Sequence, residues 1–98
     1  LSTIYISTKK EISINNIHNC LKSFFRQSEF VKIMKVNTLI GTNAVMNTNN
    51  CIISVCKTKH KNKFVILSSL DNLIKGGSGQ AIQNMNLKFN FPSGRGLE

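Results

Sequence analysis

Few side chains in this 98-residue sequence have types and spacing suited to chemistry, and most of them fall between Asp71 and Asn86. Lys75 carries a charge suited to a phosphate, and Asn72 and Gln80 bring amides that both donate and accept hydrogen bonds. Gly76, Gly77 and Gly79 surround them where a strand hands over to a helix, a junction that presents backbone amides to an anion or cofactor. Two readings of this loop stand side by side. In one, Asn72, Lys75, Gly76, Gly77, Gly79 and Gln80 face a cofactor. In the other, the glycines supply positive φ for a tight turn, Asn72 caps the helix and Lys75 is an exposed first-turn lysine of the wrong sign for the helix dipole. As a dinucleotide fingerprint the loop fails, because Gly77-x-Gly79-x-x-Ile82 has isoleucine in place of the third glycine and no strand with an acidic ribose ligand follows.

The other reactive groups are scattered. Cys20, Cys51 and Cys56 are odd in number and not closely paired, which points to reduced thiols in a cytoplasmic protein rather than a disulfide framework. Cys51 precedes Ile52 and Ile53 with no histidine near, so it reads as a core thiol and not as a nucleophile. His18 and His60 lack the ligand spacing to form a zinc site with the cysteines. The only carboxylates are Glu11, Glu29, Asp71 and Glu98, and they complete no Ser-His-acid set. The sequence therefore assigns no catalytic residue and no metal.

Stepping along the chain, Thr3 to Ser7 alternates as a half-buried strand does. Ser13 is an N-cap, after which Ile14, Ile17, Leu21, Phe24 and Phe25 share one helical face. Phe30 to Val36 predicts a short strand, and Asn37 to Asn50 is rich in turn formers. Cys51–Cys56 and Phe64–Leu70 predict a hairpin whose tip carries Lys57, Lys59, Lys61 and Lys63. Ile74, Ala81, Ile82, Met85 and Phe89 repeat at helical spacing, and Pro92 is placed to stop that helix. The order predicts an α+β fold with a mainly antiparallel sheet and two helices.

The run from Asp71 to Asn86 closely resembles the C-terminal signature of the N-acetyl-gamma-glutamyl-phosphate reductase family, roughly Asp-Asn-Leu-Val-Lys-Gly-Ala-Ala-Gly-Gln-Ala-Val-Gln-Asn-Met-Asn. Gly77 and Ser78 replace its two alanines, and Ile74 and Ile82 are conservative changes. Upstream, Thr42, Val45 and Thr48-Asn49-x-Cys51 resemble the family's Thr-x-x-Val-x-Gly-Thr-Asn-x-Cys, with Asn47 where glycine is usual. The opening Leu1 to Ile6 and the closing Gly96-Leu97 are similar to family segments as well.

The resemblance implies the last third of an NADP-dependent reductase of arginine biosynthesis, with the C-terminal fold of glyceraldehyde-3-phosphate and aspartate-semialdehyde dehydrogenases. It implies that residues 1–70 belong to the substrate domain and that residues 71–98 return toward the dinucleotide-binding domain. The catalytic cysteine and histidine would lie upstream, so the chain alone is expected to be inactive and to bind NADP weakly. The implied partners are the missing N-terminal domain and further copies of the chain.

A net charge of +9 invites a nucleic-acid reading. Arginine occurs only at Arg26 and Arg95, however, while lysine, asparagine and isoleucine abound, as a composition bias of the genome would produce. The alternative of a small basic nucleic-acid-binding or interaction module stays open, its best form being the helix, three strands and helix of double-stranded RNA-binding domains. No apolar run is long enough to span a membrane. A strand-like start without methionine predicts that Leu1 is a cut end, and Leu97-Glu98 can be an appended tail.

Overall fold

The computed structural model describes residues 1–97; Glu98, in the proposed tail, lies outside the described residues. The strands are β1 (Ser2–Ser7), β2 (Val31–Ile33), β3 (Cys51–Lys57) and β4 (Lys63–Leu70), and the helices are α1 (Ile14–Phe24) and α2 (Gly79–Lys88). They form one sheet in the order β1-β4-β3-β2, antiparallel except where β2 runs parallel to β3. The expected α+β class with a mainly antiparallel sheet and two helices is observed.

Local chemistry explains most boundaries. Ser13 accepts a hydrogen bond from the Asn16 amide at 3.3 Å and starts α1. Ile14, Val55 and Phe64 form a buried cluster joined by Ile6, Ile12, Ile17, Val36 and Ile66, so α1 covers one face of the sheet. Each such fully buried side chain contributes about 1.5–3 kcal/mol. Phe24 departs from the expected stripe: it is exposed in the last turn of α1 and meets Phe25 edge-on at 4.9 Å.

The strand expected over Phe30–Val36 is regular only over Val31–Ile33. Met34 and Asn37 still donate to the Ile53 and Val55 carbonyls at 2.8 Å, but Asn37 takes φ 64° and turns the chain across the other face of β3. Two buried serines secure that crossing, Ser54 through the Thr38 carbonyl at 2.5 Å and Ser69 through the Gly41 carbonyl at 3.2 Å. Beyond the loop this face is open, since Tyr5, paired with Val65, remains 79% exposed.

Among the described residues, asparagine carries all the left-handed turns made without glycine: Asn37, Asn47, Asn62 and Asn90 have φ between 59° and 64°. Asn90 lies just past α2, and the Phe91 amide returns to the Asn86 carbonyl at 2.8 Å. This turn ends the helix before Pro92, which was expected to do so.

Candidate functional site

The two motif segments, far apart in sequence, meet at the end of the sheet where β3 begins and β4 ends. β4 delivers Asp71, whose carboxylate accepts the Leu73 amide at 2.9 Å and the Asn47 amide at 2.8 Å. These backbone hydrogen bonds hold the Asp71 carboxyl below the usual carboxylate range. Asn47 donates from the left-handed region, with φ 61°, which asparagine tolerates in place of the glycine usual in the resembling motif.

The glycine segment is a π-helical turn, Ile74–Ser78, that meets α2 across a kink at Gly77, where φ −142° and ψ −111° are non-helical. The amides of Ile74 and Gly76 donate to the Asp71 carbonyl, Ser78 to Leu73 and Gly79 to Ile74. Most of the turn's donors are thus spent internally, contrary to the expectation of a donor-rich loop opening the helix. Positive φ is not the reason for its glycines either, since the only glycine with positive φ is Gly96. Space is the reason at Gly76 and Gly79, whereas Gly77 sits at the kink. A Cβ on Gly76 would strike the Asn72 Oδ1, and one on Gly79 would strike the Asn49 Oδ1 and lie 2.7 Å from the Ile74 carbonyl oxygen.

The expected site residues do not all converge. Lys75 is half-buried, not an exposed first-turn lysine: its Nζ donates to Gln83 Oε1 at 2.8 Å and lies 5.6 Å from the Phe30 ring centroid. Asn72 is exposed and does not cap; the capping acceptor at the turn is Asp71. Gln80 turns away to donate to Asn84 at 2.9 Å on the surface of α2. Asn72 does border a hollow of about 330 Å³ shared with Leu1, Thr42, Met46, Leu70 and Asp71.

Two residues were not singled out from the sequence. Asn49, only 3% exposed, donates to Gln83 Oε1 at 3.0 Å, and Gln83 joins it to Lys75. Both lie inside the quoted motifs, so the signal was present, but asparagine and glutamine also stand at many ordinary turns and helix surfaces. The lysine-bearing hairpin tip is at the opposite end of the sheet, where Lys57 pairs with Phe64. Cys51 is half-buried with its Sγ 3.5 Å from Ser68 Oγ, as befits a packed thiol. Among the described residues no cluster of histidine, cysteine and carboxylate suits a metal ion, and no helix is long and apolar enough to cross a membrane.

Residues 1–72, the sheet and the loop that reaches this site, match the family described as semialdehyde dehydrogenase, dimerisation domain. The chain belongs to that family. Beyond the domain itself, this dimerisation-domain chain is similar to proteins named N-acetyl-gamma-glutamyl-phosphate reductase. One from Clostridium botulinum (strain Eklund 17B / Type B) is 40% identical over 97 residues, which is 99% of the chain and 28% of the relative. One from Thermoanaerobacter pseudethanolicus is 38% identical over 98 residues, 100% of the chain and 28% of the relative. One from Vesicomyosocius okutanii is 42% identical over 98 residues, covering 27% of its length. The dimerisation-domain chain thus spans little more than a quarter of these relatives, and their similarity continues through α2 to its end.

Proposed function

We propose that the chain is the C-terminal, dimer-forming segment of an NADP-dependent, cytoplasmic reductase that converts N-acetyl-glutamyl phosphate to N-acetylglutamate semialdehyde. The observation that carries this reading is the meeting of the two reductase-like motifs in one hydrogen-bonded site, through Asn47 with Asp71 and Asn49 with Gln83. A module whose work lay at the basic hairpin would have no need of that junction.

Residues 1–70 supply the sheet and its association face, and residues 71–98 form the return toward a dinucleotide-binding domain. The association face is the side of β1 and β4 away from α1, where Tyr5 and Val65 pair and Thr3 and Leu67 pair, and its occupant is a second copy. Exposed Met85 and Leu87 on α2, with Phe89 at its C-terminal cap, suit contact with the further domain.

The turn fits a side-chain contact with NADP and not a phosphate cradle of backbone amides, because most of its amides are engaged while Asn72 and the Lys75 ammonium are available. Asn72 and Lys75 would make that contact; Gly76, Gly77 and Gly79 would keep the turn close to it, and Gln80 would reach it only by leaving Asn84. When bound, the cofactor supplies hydride. The thiolate that displaces phosphate and the acid-base histidine belong to the upstream part, which leaves this chain to bind, orient and dimerise.

The test adds the chain to the upstream part of the reductase and follows phosphate-dependent oxidation of N-acetylglutamate semialdehyde. Restored turnover is expected, and no gain over the upstream part alone would overturn the reading.

A further inference from the structure

We propose that Gln83, anchored by Asn49, is a positioning residue that holds the Lys75 ammonium ready for a phosphate group; the enzymatic setting rests on the reading above. A lysine ammonium only donates, so the side-chain oxygen of Gln83 must face it. Asn49 meets the same oxygen and must therefore present its Nδ2, at 3.0 Å. That choice fixes the other end of the Asn49 amide. Its Oδ1 is driven against Gly79, buried and without a hydrogen-bond partner.

The orphaned acceptor is thus the consequence of a chain of donors that ends at Lys75. If folding alone governed these residues, a lysine that forces a buried carbonyl oxygen to go unpaired would be a poor choice. A neutral side chain at position 75 would free both amides to turn over. What the arrangement secures is a cation held half-buried by a neutral acceptor and an aromatic face, with protons to spare for an anion. Two phosphates are available to such a group, that of the acyl phosphate and those of the dinucleotide.

The experiment has a binding arm and a kinetic arm. Inorganic phosphate, then NADP, is titrated into the chain while the Asn49 and Gln83 side-chain amide signals and the Lys75 ammonium signal are followed by NMR. Shifts that saturate, and that vanish in Lys75→Met, are expected; no shift with either probe overturns the proposal. In the reconstituted reductase, Lys75→Met and Gln83→Met are expected to raise a KM by about fivefold or more while kcat changes less. A rise confined to phosphate assigns the substrate, and a rise confined to NADP assigns the cofactor. Gln83→Glu keeps both hydrogen bonds but masks the charge, so its KM should rise with thermal stability unchanged. Lost stability in Lys75→Met with no change in either KM would make the lysine structural and overturn the proposal. If the wild-type reconstitution is silent, the enzymatic reading fails, and the NMR arm decides the lysine by itself.

Discussion

α1 and α2 are nearly equal in length but bury opposite kinds of side chain. α1 turns Ile14 and Ile17 into the cluster around Val55 and Phe64, whereas α2 buries Gly79 and Asn86 and leaves Met85 and Leu87 in solvent. Asn86 explains the reversal: its Nδ2 donates to the Ser93 and Arg95 carbonyls at 3.0 and 2.9 Å, so the helix is fastened to its own tail by polar contacts. One helix completes a core that this chain contains, and the other presents apolar surface that the chain does not cover. Amphipathic spacing alone does not reveal where a helix finds its partner.

Substitutions on the two sides of this contrast should behave differently. Phe64→Ala, beneath α1, removes the largest member of the cluster and should cost about 3–5 kcal/mol in urea unfolding. Gly79→Ala presses a methyl between Asn49 and Ile74 at the start of α2; about 1–3 kcal/mol is expected, with loss of the Asn49–Gln83 contact seen as a side-chain amide shift. Ser13→Ala removes the α1 cap and should cost about 1 kcal/mol.

Smaller still is the effect of Asp71. Its folded pKa lies below the unfolded value, so it adds stability at neutral pH that is lost as pH falls through the unfolded and then the folded pKa. Asp71→Asn should flatten that part of the acid limb in a comparison of unfolding midpoints between pH 5 and 2. Phe89→Ser, on the bare side of α2, should change the stability of the isolated chain by no more than about 0.5 kcal/mol while weakening association with the upstream part. If Phe89→Ser unfolded the chain, the two helices would not differ as described.

The elements that local chemistry decides were legible in the sequence: the Ser13 cap, the hairpin, expected over Cys51–Cys56 and Phe64–Leu70 and one residue longer in each strand, and the apolar face of α1. The Asp71–Asn86 segment stood out through its resemblance, but its geometry was not legible. Three glycines suggested positive φ, but Gly76 and Gly79 instead let Asn72 and Asn49 approach, and Gly77 makes the kink without positive φ. That use depends on side chains brought in by the fold, as does the role of Gln83. Likewise, the early end of β2 is set by Asn37, whose side chain accepts the Lys57 amide at 2.9 Å across the sheet, a contact that no local window contains.

β1 carries one more consequence. It is the first strand of this segment to leave the ribosome, and its ladder joins Ser2 to Ser68 and Ser7 to Lys63. Made first, it has no sheet neighbour until the fourth strand has followed it. Its pairing with β4 is strongly non-local, the kind whose loop-closure entropy slows folding. In the interval its unpaired edge is open to pairing with other strands.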